Sequence, residues 1–193
     1  MKPDFDAPHL DPDPWGYQKH WYERRRRQLI AAMLPNEKLG CVLEIGCSSG
    51  LMTQLLAPRA SQLLAVDVSA KAVELARERL QGLPQVQVLQ ADITRDWPQQ
   101  AFTHILLCDV AYYLEQAQIR QLARNIARQA TGVLLLAHWR HAFEQVATPA
   151  QAAHDLLREG TGWHGLAHYE DEDLLVDVLG ADATSIARKE GIA

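Results

Sequence analysis

The sequence predicts an α/β fold: a doubly wound, mainly parallel β-sheet covered by helices on both faces. Short apolar strand-like runs alternate with helical segments from residue 38 onward, and strands that are apolar throughout belong to sheets buried on both sides. A turn rich in glycine and serine joins the first strand to the next helix. The chain has 193 residues without a repeat or a linker, so we expect a single domain over residues 1–193.

The local patterns place each element in turn. An irregular lead-in rich in Asp and Pro (1–18) and a helix (19–34) that stops at Pro35 form an N-terminal segment, 1–34, ahead of the α/β core, 38–193. Further helices are predicted at 51–57, 69–81, 116–129 and 150–158, and strands at 41–45, 62–66, 86–89, 102–108, 132–137, 165–169 and 173–179. The connection between the last two strands is too short for a helix, which predicts an antiparallel pair at the sheet edge.

Composition and charge exclude several function classes. The net charge is −5, so nothing electrostatic points to a nucleic-acid partner, and the side chains of the basic run Arg24–Arg27 diverge because they lie in a helix. No apolar run is long enough to span a membrane, and the polar N-terminus lacks the core of a signal peptide. Cys41, Cys47 and Cys108 show no metal-like spacing, so we expect reduced thiols and no metal. These features predict a cytoplasmic protein without membrane or nucleic-acid partners.

The turn after the first strand is the most informative segment. Gly46 lets the backbone turn sharply, Gly50 lets the next helix approach a ligand closely, and Cys47 and Ser48 lie between them. The free N–H groups at the start of that helix suit an anion such as a carboxylate. The turn matches neither the G-x-G-x-x-G pattern of dinucleotide sites nor the G-x-x-x-x-G-K-[ST] pattern of triphosphate sites. In a doubly wound sheet, ligands bind beside this turn.

Acidic residues end the first three strands and favour one ligand, S-adenosylmethionine (SAM). Glu44 would repel a pyrophosphate, but it suits the ammonium of a methionyl group. Asp67, followed by Val68, stands 21 positions after Gly46 (67 − 46), a spacing at which a carboxylate accepts hydrogen bonds from ribose hydroxyls. Asp92-Ile93 ends the third strand, where it could meet the adenine amino group. Each acid alone could be a helix cap, whereas the three together beside the turn favour SAM.

The turn resembles the E/D-x-G-x-G-x-G signature of class I SAM-dependent methyltransferases, with Ser48 where the middle glycine usually stands. Four motifs resemble the nodulation protein S family more specifically: Asp13-Pro14-Trp15, Trp21-Tyr22-Glu23-Arg24, Cys108-Asp109-Val110-Ala111-Tyr112-Tyr113-Leu114 and His138-Trp139-Arg140-His141. The resemblance covers nearly the whole chain. It implies a Rossmann-like, seven-stranded sheet with one antiparallel edge strand, SAM as cofactor and S-adenosylhomocysteine (SAH) as product. It also implies N-methylation of the free amine of a deacetylated chitooligosaccharide.

The aromatic N-terminal segment predicts a lid over the cofactor. Residues 13–26 are too aromatic for a surface without a function, and closure would exclude water from the reaction. We expect Trp21 and Tyr22 to contact the cofactor and Arg26, or a neighbouring Arg, to pair with its methionyl carboxylate. The alternative is a helix that only packs on the sheet edge.

The ends of the fourth and fifth strands predict the reaction zone. Asp109, also expected beside the cofactor, leads into Tyr112, while His138 and His141 follow the fifth strand. Methyl transfer needs alignment and a neutral amine, so a carboxylate or a His that takes a proton is useful. We expect these four residues to be catalytic. Asp109 could instead only orient and Tyr112 could be core, and the sequence does not choose between the two histidines.

The sequence favours an N-methyltransferase acting on an amine of a small molecule or a saccharide. The alternatives are O-methyl transfer to a small hydroxyl or carboxylate, a non-catalytic SAM-binding protein, and a nicotinamide-dependent oxidoreductase, whose G-x-G-x-x-G pattern is missing. The side chains after the fourth and fifth strands favour an enzyme. The fourth strand carries neither the D/N-P-P-Y/F motif of DNA amino-methyltransferases nor a Pro-Cys nucleophile, which argues against nucleobase methylation. The oligomeric state stays open.

Overall fold

Seven β-strands form one sheet whose central strands are buried on both faces, as their apolar composition requires. The computed structural model describes residues 4–193, and residues 1–3 of the expected domain lie outside the described part. The strands are β1 (Leu39–Ile45), β2 (Ala60–Asp67), β3 (Val86–Gln90), β4 (Phe102–Cys108), β5 (Ala130–Trp139), β6 (His164–Glu170) and β7 (Leu174–Gly180). The helices are α1 (Trp21–Met33), α2 (Leu51–Leu56), α3 (Ala70–Arg79), α4 (Gln116–Gln129), α5 (Ala150–Thr161) and α6 (Ile186–Lys189).

The strand order is β3-β2-β1-β4-β5-β7-β6, and the first five strands in this order pair in parallel. The chain first builds outward from β1 to β2 and β3, and then returns to place β4 on the other side of β1. The carboxyl ends of β1 and β4 therefore meet at the point where the order reverses, which is where doubly wound sheets bind ligands. This confirms the predicted fold class.

The antiparallel pair predicted for the end of the chain is present. β7 runs antiparallel to both of its neighbours, β5 and β6. All seven residues of β7 are buried, because the strand is enclosed between β5 and the edge strand β6. The strand that opposes the parallel direction is therefore β7, and it stands one place inside the edge.

Two hydrophobic clusters, one on each face, hold the helices to the sheet. The first joins α1, α2 and α3 to the sheet, and the second joins α4 and α5. Helix α4 buries Ile119, Leu122 and Ile126, whose spacing of three and four residues puts them on one face. Burial of each such side chain contributes about 1.5–3 kcal/mol. The helices are thereby fixed against the strands whose ends carry the site.

The bounds of the predicted helices and strands agree with the structure to within two residues, except that α5 ends three residues later, and the short α6 was not predicted. β5 continues to Trp139 because its last residues pair with the start of β7. α5 continues to Thr161 and ends at Gly162, whose φ of 67° gives the left-handed conformation common after helices. Ser69, the N-cap of α3, accepts a hydrogen bond from the Ala72 N–H at 3.0 Å. Within residues 4–193, no helix combines the length and the apolar character needed to cross a membrane. The three cysteines are free, and Cys47 is buried.

Candidate cofactor site and reaction zone

The turn between β1 and α2 has the backbone conformation that its composition predicts. Gly46 and Gly50 have φ values of 78° and 80°, and Ser48 also lies in the left-handed region at 48°. A Cβ at position 46 would come within 2.2 Å of the Val110 side chain, so a glycine there lets the loop after β4 pack against the turn. The Gly46 and Cys47 N–H groups both donate to the Val66 carbonyl, at 2.8 and 3.1 Å. The turn is thereby fixed to the end of β2.

Asp67, at the end of β2, holds this turn from the side. Its Oδ2 accepts a hydrogen bond from the Ser48 N–H at 2.9 Å, and its Oδ1 accepts one from the Ser69 N–H at 2.9 Å. Burial raises the pKa of Asp67, although the hydrogen bonds from Ser69 and Ser48 lower it. The carboxylate therefore links the turn between β1 and α2, here called the cofactor turn (residues 46–50), to the start of α3. Its neighbour Val68 is 43% exposed.

Glu44, on β1 directly before the turn, is a buried acid without a cationic partner. Its side chain accepts a hydrogen bond from Thr53 Oγ1 at 2.6 Å, and the residue is 3% exposed. Burial raises its pKa to about 7, the bond from Thr53 works against this, and the charge of Asp67 adds to it. Among residues 4–193, no Lys, Arg or His forms an ion pair with Glu44. A bound cation would supply the missing charge.

The third predicted acid, Asp92, lies in the loop after β3. Its Oδ1 accepts hydrogen bonds from the Thr94 N–H and hydroxyl at 3.1 and 2.6 Å, and its Oδ2 lies 3.7 Å from Arg95 Nε. The adjacent Ile93 is buried. Asp92 thus organises its own loop, and Ile93 supplies the apolar surface there.

A buried ion pair between α1 and the loop after β4 forms the centre of the predicted reaction zone. Arg26, 5% exposed, donates to Asp109 Oδ2 and lies 3.7 Å from Glu23. Burial alone would lower the pKa of Arg26, but the carboxylates of Asp109 and Glu23 raise it. The other oxygen of Asp109 accepts a hydrogen bond from the Trp139 N–H at 3.0 Å. Both carboxylate oxygens of Asp109 are therefore occupied, and Asp109 joins α1 to the end of β5.

Aromatic side chains from α1 and β5 border this ion pair. The rings of Tyr22 and Trp139 meet edge to face at 5.5 Å, and Trp139 lies 4.6 Å from the His141 ring. His141 is partly exposed, and its Nε2 lies 2.7 Å from Asp173 Oδ1. Trp21, in contrast, is 69% exposed, with Arg24 over its ring at 5.9 Å. The structure therefore brings Tyr22 into the predicted zone but leaves Trp21 at the surface.

His138 and Tyr112 are internal. His138 is fully buried. Its Nε2 accepts a hydrogen bond from the Ala111 N–H at 2.9 Å, and its Nδ1 lies 2.8 Å from His154 Nε2. The Tyr112 ring packs against His138 with centroids 5.2 Å apart and is 5% exposed. Of the two histidines that the sequence left open, only His141 has an exposed ring.

Known proteins of one family are similar to this chain. A family model for nodulation protein S (NodS) matches residues 5–144. The chain belongs to the NodS family. Nodulation protein S of Sinorhizobium fredii is 32% identical over 116 residues, which are 59% of this chain and 54% of that protein. The Rhizobium tropici protein is 29% identical over 118 residues, 60% of this chain and 50% of that protein. The chain spans about half the length of these curated relatives.

Solved structures confirm the fold. A protein of Pseudomonas syringae to which methyltransferase activity is ascribed is 35% identical, with a TM-score of 0.74 over 83% of this chain and 99% of its own. The N-methyltransferase NodS of Bradyrhizobium japonicum WM9, crystallised with SAH, is 24% identical, with a TM-score of 0.78 over 90% of this chain and 94% of its own. The resemblance to class I methyltransferases and to the NodS family that the motifs indicated is therefore confirmed.

In this member of the NodS family, the serine in the glycine-rich turn has a partner in the N-terminal segment. His9 is 7% exposed. Its Nδ1 lies 2.9 Å from the Phe5 carbonyl, which can only accept, and its Nε2 forms a hydrogen bond with Ser48 Oγ at 3.0 Å. Asp6 accepts hydrogen bonds from Ser69 Oγ and the Lys71 N–H, at 2.6 and 3.1 Å. The lead-in is thereby attached to the glycine turn at Ser48 and to the start of α3.

Several of these contacts could not be found in the sequence. Asp6 and His9 stand in a polar stretch without periodicity, and His154 lies within a helix where the pattern predicts only packing. Arg26, by contrast, was expected to meet the cofactor carboxylate, and the structure pairs it with Asp109. Tertiary contacts over long sequence separations decide all of these positions.

Proposed function

We propose that this chain is a SAM-dependent methyltransferase that forms SAH and transfers the methyl group to a saccharide amine. The observation that carries the proposal is the buried Glu44, which has no ion-pair partner within residues 4–193, beside a glycine turn that Asp67 holds in place. This pair offers one acid to an ammonium and one to ribose hydroxyls, on the crevice where doubly wound sheets bind ligands. Membership of the NodS family supports the same assignment.

The residues around the turn fit this cofactor. Gly46, Cys47, Ser48 and Gly50 would follow its methionyl part with backbone atoms, and the buried Glu44 would take its ammonium. Asp67, with Val68 beside it, would take the ribose, and Asp92 and Ile93 would border the adenine. Three buried polar atoms of α1, Tyr22 Oη, Arg26 Nε and Arg27 Nη1, have no hydrogen-bond partner in residues 4–193. A carboxylate from the cofactor would satisfy such donors.

The reaction assigns separate tasks to the residues of the zone. SAM supplies an electrophilic methyl on a sulfonium, and the chain aligns the acceptor and excludes water. Asp109 has both oxygens engaged, one by Arg26 and one by the Trp139 N–H, so we assign it an orienting role. His141, partly exposed and beside Asp173, is placed to take the proton that leaves the methylated amine.

Three features support a saccharide amine as the acceptor class. The Tyr22 and Trp139 rings lie beside the reaction zone, and aromatic faces pack well against sugars. Carboxylates of the β6–β7 turn (residues 170–173) lie next to them, a charge that suits an amine. The side chains of Arg24–Arg27 go to four different environments, so they form no continuous surface for a nucleic-acid backbone.

The N-terminal segment would act as a lid in this enzyme. Residues 4–20 contact the cofactor turn through the Ser48–His9 bond and reach the loop after β4, where the Phe5 and Tyr113 rings lie 5.1 Å apart. Such a segment has to move for a cofactor to enter and would then exclude water. The lid therefore begins upstream of residues 13–26, the part that its aromatic composition pointed to.

The test is transfer of a labelled methyl group from SAM to matched acceptors. A glucosamine tetramer offers free amines, and its N-acetylated counterpart offers the same hydroxyls without them. We expect transfer to the first and none to the second. With the amine acceptor, the rate should rise with pH until the amine is neutral and then level off. His141→Ala should lower kcat more than it raises the KM for SAM, while Asp109→Asn should raise KM as well.

Two outcomes would contradict this assignment. Equal transfer to the N-acetylated tetramer would move the acceptor to a hydroxyl. No binding of SAM or SAH in calorimetry would remove the enzyme assignment altogether.

A further inference from the structure

A hydrogen-bond chain crosses the interior from the antiparallel strands to α5. Asp177 of β7 is 2% exposed. Its Oδ2 accepts from His154 Nδ1 at 2.8 Å, and its Oδ1 accepts from Arg158 Nη2 at 2.8 Å and from His168 Nδ1 at 2.9 Å. Burial raises the pKa of Asp177, but the hydrogen bonds from His154 and His168 outweigh it and lower the pKa to about 2. Asp177 is therefore a fixed, ionised acceptor.

The chain continues from α5 through β5 to the loop after β4. His154, with no exposed surface, places Nε2 2.8 Å from His138 Nδ1, and His138 Nε2 meets the Ala111 N–H at 2.9 Å. The described residues offer these two rings no other hydrogen-bond partners. Two fully buried histidines thus connect an internal carboxylate to one backbone amide.

These contacts determine which ring nitrogen of His138 and of His154 carries the proton. A backbone N–H can only donate, so His138 Nε2 carries a lone pair and the ring proton sits on Nδ1. That proton faces His154 Nε2, which must accept, so His154 is also protonated on Nδ1 and donates to Asp177. Both rings are therefore neutral Nδ1–H tautomers, and the direction of donation runs from Ala111 to Asp177.

The Ala111 amide, at one end of the hydrogen-bond chain, belongs to the loop that carries the predicted reaction zone. Ala111 is the first residue of a short 3₁₀ helix, Ala111–Tyr113, and stands two residues after Asp109. On its other side the turn is fixed by the Tyr112 carbonyl, which accepts from the Ala147 and Thr148 N–H groups at 2.8 and 3.1 Å. The Ala111 and Tyr112 contacts thus fix the 3₁₀ turn from two sides, in addition to the contacts that hold Asp109 itself.

We propose that Asp177, His154 and His138 are positioning residues that hold the Asp109–Tyr113 loop in its reactive position. The catalytic consequence rests on the proposed function above. His138 does not take a proton from the substrate, because its one lone pair is occupied by the Ala111 N–H. The hydrogen-bond chain holds the Asp109–Tyr113 loop only while both imidazoles are neutral.

An added proton breaks the chain wherever it binds. An imidazolium has two donors and no acceptor. On His154 it would oppose the Nδ1–H of His138, and on His138 it would oppose the Ala111 N–H. The surrounding ionisable groups are Tyr112 after β4, Arg26 of α1, Arg158 of α5, and His168 and Asp177 of the β6–β7 pair. Burial, with the charge of Arg26, lowers the pKa of His138, so its neutral form is favoured near physiological pH.

Nitrogen-15 spectra of the full chain test the proton positions directly. Long-range proton–nitrogen correlations in protein labelled at histidine separate Nδ1–H from Nε2–H tautomers. We expect two Nδ1–H rings at neutral pH, assigned by the signal lost in each single variant. The Ala111 amide should exchange slowly with solvent and lose this protection on acidification, in step with protonation of the rings. An Nε2–H tautomer at either ring would overturn the proposal.

Paired variants of His154 separate positioning from general stability. His154→Gln keeps an acceptor for His138 and a donor for Asp177 without a titratable ring, whereas His154→Leu removes both. Leu157→Ala, a fully buried change on the same helix, is the matched control for lost packing. Catalysis is measured per SAH-binding site with a glucosamine tetramer as acceptor.

His154→Leu should lower kcat roughly ten- to a hundredfold through a misplaced loop, change the KM for SAM little and speed Ala111 exchange. His154→Gln should restore kcat and move the acid limb of its pH profile, and Leu157→Ala should lower only Tm. Equal kcat in the Gln and Leu variants would overturn the proposal. A wild-type protein that transfers no methyl group would overturn the proposed function. The histidine tautomers and the Ala111 exchange rate would still decide whether the hydrogen-bond chain holds the loop.

Discussion

The buried Glu44 makes the folded protein less stable at neutral pH than at mildly acidic pH. Its pKa rises from 4.5 to about 7 in the folded state because burial disfavours the charged carboxylate. The native state therefore holds this proton more tightly than the unfolded chain, and stability falls as pH rises from the lower value to the upper one. Glu44→Gln removes the titration and retains an acceptor for the Thr53 hydroxyl.

Linkage gives the size of this effect. Between about pH 5 and about pH 8, a group with these two pKa values lowers the free energy of unfolding by ~2.5 kcal/mol. For a domain of this length each kcal/mol shifts Tm by roughly 2–4 °C, so the wild type should lose roughly 5–10 °C more than Glu44→Gln over that range. The unsatisfied amide of the glutamine costs the same at both pH values and cancels in the difference.

Denaturant unfolding of both proteins at the two pH values measures the effect. Glu190→Gln, a change of an exposed acid, is the control and should follow the wild type. The reasoning is refuted if wild type and Glu44→Gln lose stability equally on going to the higher pH. SAM should reverse the penalty: its ammonium stabilises the carboxylate, so calorimetry should find affinity rising with pH in the wild type and level in Glu44→Gln.

Two further predictions concern the same turn. Asp67→Ala should weaken SAM binding about ten- to a hundredfold, the equivalent of about 1–3 kcal/mol, whereas Asp155→Ala on the exposed face of α5 should not; equal affinities in calorimetry would contradict the ribose assignment. Ser48→Gly should speed hydrogen exchange of residues 4–20 about two- to tenfold, because the bond to His9 contributes about 0.5–1.5 kcal/mol. His9→Ala should have the same effect, and the double variant no more than either single one; additive effects would show that the two side chains do not act through their shared bond.

The fold could be predicted largely from local patterns. β4 and α4 have the predicted bounds, because each is an apolar run or an amphipathic repeat between clear breakers. β5 and α5 are longer than predicted, since pairing with β7 and the glycine at 162 decide their ends. The position of β7 inside the edge could not be predicted either. The sequence predicts that the last two strands pair antiparallel, but it does not predict which of them pairs with β5.

The sequence by itself determined the class of site, because Glu44 with the glycine turn and Asp67 end two consecutive strands, which a doubly wound sheet places side by side. Only the tertiary structure decided which side chains surround it. His9 meets Ser48 across 39 positions, Arg26 meets Asp109 across 83, and His138 meets His154 across 16. The physical reason is that a local pattern specifies the face of an element, whereas hydrogen-bond partners depend on which faces pack together. His138, one of two histidines expected after β5 as proton acceptors, is buried with its Nε2 against the Ala111 N–H, which is why we propose it as an internal support.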